Sequence, residues 1–219
     1  MDAQSLASPQ RSRRRRLAAL LVVVAASVAG FVAGRATAPL QEPPQVAGLL
    51  WPAAPKLQPF SLQEAADQPF TEAAMAGRWT LLFFGFTHCP DICPTTLATL
   101  KQAYATLRDT PGLARRLQVV FVSVDAERDT PAVLARYVKY FNTEFRGVTA
   151  PMEQLHLLTR QLGADFARVK TGEAGDYWFD HSAAIFLIAP DQRVVAAFDP
   201  PFTAQDLAAR VRLVYNFLD

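Results

Sequence analysis

The chain is poor in the side chains that do most redox and metal chemistry: among 219 residues there are two cysteines, three histidines and three methionines. Two cysteines make one disulfide at most, so a scaffold stapled by several bridges is excluded and stability must come from an apolar core. A 51% apolar composition supplies that core, and the length suits one domain plus extras. Basic charge is scarce where nucleic acid would need it. Six of the 22 basic residues (Arg11, Arg13, Arg14, Arg15, Arg16 and Arg35) lie in the first 35 positions against one acid, Asp2, leaving 16 basic and 19 acidic residues in the rest. A mildly acidic body without a basic stripe has no electrostatic footprint for nucleic acid, and that class is excluded. Internal repeats are missing too.

What is present begins with a membrane signal. "RSRRRR" precedes "LAALLVVVAASVAGFVAG", residues 17–34, eighteen positions without a charge. That length is at the low end for crossing a bilayer, and the arginines before it orient its N-terminus toward the cytoplasm. The sequence thus predicts a basic cytoplasmic tail over 1–16 and a single transmembrane helix over 17–34, with the remainder outside. A cleaved signal peptide competes, because Ala36-Thr37-Ala38 has the small-x-small form of a cleavage site. The apolar run is longer than the usual signal core, which favours the anchor. Residues 35–58 carry five prolines and no periodicity, as a tether would. The folded domain is expected over 59–219.

Within it "WTLLFFGF", residues 79–86, and "LQVVFVSVD", residues 117–125, are continuous apolar runs that suit strands buried on both faces. Between them Leu97, Leu100, Tyr104 and Leu107 recur at helical spacing, giving a strand, helix, strand unit long enough for a parallel crossover. "TPAVLARYVKYF" and "PMEQLHLLTRQLG" predict two helices with Pro131 and Pro151 in their first turns. "SAAIFLIAPDQRVVAAFD" reads as a hairpin, and "FTAQDLAARVRLVYNFL" as a final helix capped by Thr203. This order predicts an α/β, thioredoxin-like fold, a central mixed sheet flanked by helices.

Both cysteines fall in "FFGFTHCPDICPTTL", at the turn from the first buried strand into the helix. The helix N-terminus favours thiolate there, and four-residue spacing puts both sulfurs on one face of a turn. Pro94 fits the first helical turn, where no amide hydrogen is lost. A structural disulfide would close too short a loop to restrain the unfolded chain. Two readings stay open: a catalytic dithiol, though such folds usually space theirs Cys-x-x-Cys, and a soft-metal site, for which two thiolates and an imidazole suit copper(I). His88 adjoins Cys89 and reads as a loop or supporting group; His156, inside "MEQLHLLTRQL", reads as packing or surface. His181 stands immediately before "SAAIFLI", where the loop faces the dithiol turn across the top of the sheet.

Taken together, "FFGFTHCPDICPTTL", "FVSVDAERDTP" and "DYWFDHSAAIFLIAPD" resemble the Sco/SenC family, copper proteins that help assemble cytochrome c oxidase. The likeness runs over residues 57–219 in consistent order. It implies a membrane-tethered domain binding one copper ion, copper(I) with copper(II) as its alternative, through Cys89, Cys93 and His181. Asp125 and Asp180 are implied as polar neighbours, with Asp180 placed to accept a hydrogen bond from the imidazole or to shape its loop. The implied client is the binuclear copper centre of oxidase subunit II, served by copper delivery or by reduction of its cysteines. A copper donor and a thiol reductant are implied as further partners, and the inner membrane of a bacterium with the domain in the periplasm as the location. Ala126, Ala189 and Gln192 depart from the family pattern and bear on turn geometry. A thiol-disulfide oxidoreductase using Cys89 and Cys93 is the alternative. A peroxidase is weaker, since Thr87 lies only two positions before Cys89.

Overall fold

The computed structural model describes residues 19–27, 30, 48–51, 53–172 and 176–219. Two compact units divide the chain, Met1–Glu42 and Pro43–Asp219. In the first, the described residues 19–27 and 30 are helical (α1). Most of the expected anchor's flanks lie outside the described residues, among which no helix is long and apolar enough to cross a membrane.

The second unit is built on a five-stranded sheet ordered β5-β4-β3-β8-β9, with β3 Trp79–Gly85, β4 Leu117–Ser123, β5 Arg146–Val148, β8 Ile185–Ile188 and β9 Val194–Phe198. β3, β4 and β5 run parallel, and β8 and β9 are antiparallel to their neighbours. The predicted crossover is observed, with α2 (Ile92–Leu107) joining β3 to β4. Every residue of β3 and β4 is buried, and alternate side chains serve opposite faces. Trp79, Leu81 and Phe83 pack with α2, α3 (Pro131–Phe141) and α5 (Ala204–Leu218). Leu82, Phe84 and Phe86 pack on the other side with α4 (Met152–Gln161) and two small hairpins, β1–β2 (Leu62–Glu64, Gln68–Phe70) and β6–β7 (Phe166–Lys170, Tyr177–His181). These faces form the two cores of a mixed-sheet, thioredoxin-like sandwich.

Local expectations are met in most places. Thr130 caps α3 ahead of Pro131, and Thr203 forms a capping box with Asp206. Pro151 is the N-cap of α4 and not a first-turn residue. The expected tether ends early: Leu50 and Lys56 bridge to Ala196 and Arg193, and Leu57 is buried, so residues 50–51 and 53–57 line β9 and the turn before it, an edge that would otherwise stay unpaired. At the β8–β9 turn Gln192 takes φ +70°, a conformation suited to glycine, held by its amide donating to the Ala189 carbonyl and its side chain to the Glu72 carbonyl.

Candidate metal centre

The end of β3 sets the site. Gly85 lies against the buried sulfur of Cys93 and the ring of Phe121; a Cβ at Gly85 would stand 2.8 Å from that sulfur and 2.6 Å from the ring. Thr87 then turns the chain. Its amide and hydroxyl donate to the carboxylate of Asp129, at 2.8 and 2.5 Å, and Ser123 at the end of β4 donates to the same carboxylate at 2.6 Å. Asp129 is fully buried. Three donors satisfy the charge, and in return it ties the cysteine loop to the neighbouring strand.

Cys89 lies in that loop, half-buried, and Cys93 is the second residue of α2, fully buried. The Cys93 amide points at the Cys89 sulfur from 3.5 Å, so the helix N-terminus faces the first sulfur, as its position predicted. For Cys93 the expected activation is overturned. Burial pushes its thiol well above the ordinary range and outweighs the lowering contact with the Phe86 backbone; the nearby Cys89 raises it further. A buried thiolate without a cation is too costly, so Cys93 is a thiol until a cation replaces its proton.

His181 ends β7, in a hairpin that sequence periodicity did not reveal, rather than in the loop entering β8. Its Nε2 is 3.5 Å from the Cys93 sulfur. Its Nδ1 is 3.1 Å from the Ser182 carbonyl, which can only accept, so that nitrogen carries the proton and Nε2 keeps its lone pair. Burial lowers the His181 pKa and keeps the ring neutral. The rings of Phe83 and Phe86 meet it edge-on, each 6.0 Å away, and fix its plane. The two sulfurs and the imidazole nitrogen lie within 4.8 Å of one another. Ligand atoms at roughly 2.0–2.3 Å from one ion are at most about 4.6 Å apart, so small side-chain shifts let all three reach a single ion. The donor set fits a soft cation.

The remaining sequence candidates divide. Asp180 does not hold the imidazole, since the Ser182 carbonyl takes that hydrogen bond; it lines the cleft beside His181. Asp125 is buried, but its contacts are Arg128 at 2.5 Å and the Tyr177 hydroxyl at 3.0 Å. The Tyr177 ring lies between the guanidinium groups of Arg128 and Arg168, 3.8 and 3.5 Å from its centroid. Asp125 therefore acts on His181 at a distance, by fastening the hairpin that carries it. His88 is exposed and bonds Thr87; it also lies near Asp125 and Asp129, but those carboxylates already hold donors, so the group reads as a hydrogen-bond network. His156 stacks on Phe166 at 4.5 Å, the packing role expected of it. Sequence reasoning missed Gly85, Asp129, Ser182 and Tyr177. A glycine closing a buried strand and a second aspartate in "DAERDTP" were the available signals.

The SCO1/SenC family model matches residues 52–216. The chain belongs to the SCO1/SenC family. It is 42% identical over 144 residues to a Stutzerimonas stutzeri protein provisionally named as copper-binding, which covers 65% of this chain and 69% of that protein. It is 39% identical over 153 residues to the mitochondrial SCO2 homolog of Bos taurus, covering 70% of this chain and 57% of the relative. The match thus spans somewhat more than half of the bovine family member's own length. Among solved family structures, copper-bound ScoI of Arabidopsis thaliana superposes with a TM-score of 0.69 at 32% identity, over 74% of this chain and 99% of that one. Copper-bound yeast Sco1 gives 0.64 at 31%, over 72% and 87%.

Proposed function

We propose that this protein is a copper carrier that assembles the binuclear copper centre of cytochrome c oxidase subunit II. The observation that carries the reading is the convergence of Cys89, Cys93 and His181, with the Nε2 lone pair turned toward the sulfurs. Copper(I) is the cargo, and it supplies the positive charge that lets the buried thiol ionise. Cys93 gives up its proton, Cys89 remains under the helix amide, and the Ser182 carbonyl keeps His181 in the binding tautomer. Two thiolates and a neutral imidazole leave a net charge near −1 on the loaded site, partly offset by the helix N-terminus. A Cys89–Cys93 disulfide would remove both thiolates, so a thiol reductant and a copper donor are required partners. The copper-bound relatives support this reading.

The dithiol enzyme is less well supported. Exchange could start at Cys89, which the cleft reaches, but it has no need of His181, whose Nε2 is turned toward the sulfurs. The charge asymmetry around residues 17–34 supports a membrane anchor with the domain outside the cytoplasm. His181→Ala tests the function. It leaves both sulfurs and the helix in place, so thiol-disulfide exchange survives, while copper(I) affinity falls by more than about tenfold and oxidase assembly fails at limiting copper. Normal assembly by His181→Ala, combined with failure of Cys89→Ser, would transfer the function to the dithiol.

A further inference from the structure

A cleft of about 300 Å³ opens beside the cysteine loop and β7, and of the three ligand residues it reaches Cys89 and His181 while Cys93 lies beneath. The opening gives another molecule access to those two residues. Phe86 and Phe179, both buried, form part of its wall, and its rim carries Ile92 from the first turn of α2 and Trp178 from β7. Those two side chains are 55% and 52% exposed, an unfavourable state for large apolar groups, and they stand on the two elements that carry Cys93 and His181. Asp91 and Asp180 add two carboxylates, and no lysine or arginine lines the cleft among the described residues.

We propose that this cleft docks the protein that receives copper, taking from it an apolar side chain with a lysine or arginine beside it, next to the partner's own metal ligands. The partner's identity rests on the carrier reading above. Charge complementarity argues for this occupant: two rim carboxylates without a counter-charge steer a cationic surface and reject an acidic one. The volume holds a side chain or two and not a folded element. Trp178 and Ile92 then become the anchors, desolvated on contact at the centre of the interface, where truncation is most costly. Ligand exchange would begin at Cys89, which the cleft reaches. The partner's thiols lose their protons as they bind copper(I), and Cys89 and Cys93 take up protons and return to thiols as the ion leaves them and a neutral His181.

The test measures binding of the full chain, in detergent micelles, to the soluble copper domain of oxidase subunit II by calorimetry, and copper(I) affinity separately by chelator competition. Trp178→Ser and Ile92→Ser should each weaken docking at least tenfold, while copper(I) affinity stays within about twofold because neither side chain is a ligand; that unchanged affinity also reports an intact fold. Docking should weaken as salt rises, and Asp91→Asn with Asp180→Asn should remove most of that dependence. Variants that dock like wild type overturn the proposal, as does a wild-type chain that fails to bind the domain. It is likewise overturned if the rim substitutions abolish only self-association of the chain. Should copper prove unnecessary while Trp178 still governs docking, the carrier reading fails and the docking site stands.

Discussion

Gly85→Ala isolates the packing that sets the position of the buried sulfur. The added methyl would stand 2.8 Å from the Cys93 sulfur and 2.6 Å from the Phe121 ring. Contacts at about 3.5 Å are the comfortable minimum, so the sulfur must move by about 0.7 Å and the ring by about 0.9 Å. The ring cannot swing clear, because Phe121 is fully buried with Phe83 at 5.9 Å and Tyr137 at 5.7 Å. Overpacking of this kind costs about 1–3 kcal/mol, which lowers Tm by roughly 2–12 °C for a domain of this size. Copper(I) affinity should fall about tenfold or more, the loss attached to misplacing a ligand through its support. Gly147→Ala is the control: its methyl would meet Leu134 at 3.0 Å, distant in the chain from all three ligands, so stability should fall while copper binding is retained. Calorimetric unfolding and chelator competition read both quantities. A Gly85→Ala protein with wild-type Tm and copper affinity would refute the claim that this contact places the sulfur.

Tyr177→Leu removes the hydroxyl bond to Asp125 and the ring between Arg128 and Arg168, so copper(I) affinity should fall about tenfold with circular dichroism unchanged; an unaltered affinity would separate the hairpin clamp from the metal site. Because burial raises the Cys93 pKa, copper uptake near neutral pH must release that proton, and affinity should climb about tenfold per pH unit from this thiol alone. The same shift makes the unfolded chain lose the Cys93 proton first, so the metal-free protein should lose stability as pH rises above its ordinary value of 9.0. For His181, lowered in the folded state, the unfolded chain binds the proton more readily, and stability should fall as pH drops below 6.5; denaturant titrations at several pH values read both slopes. Reporter fusions after residue 60 should be active only outside the cytoplasm, and cytoplasmic activity there would reverse the topology.

What the sequence determined by itself is local. Apolar runs fixed the two buried strands, helical spacing fixed the crossover between them, and the motif set Cys93 at a helix start with Cys89 close before it, in the loop rather than on the same helical turn. Each depends on neighbours within a few residues, which is why periodicity exposes it. The quoted motifs also carried the family likeness and, with it, His181. Only tertiary structure decided how that histidine arrives. It lies 88 positions beyond Cys93 and is delivered by a hairpin of five-residue strands, too short and too mixed to show a period. The aspartates show the same limit. Asp125 and Asp129 occupy one short loop, and nothing in their spacing says which carboxylate faces Thr87 and which faces Tyr177. Strand register and the entry into α3 decide it, turning Asp129 under the cysteine loop and Asp125 toward the hairpin. The state of Cys93 was equally hidden, since the helix end that favours its thiolate is a property of the segment, whereas the burial that opposes it comes from the packed strands and helices around it.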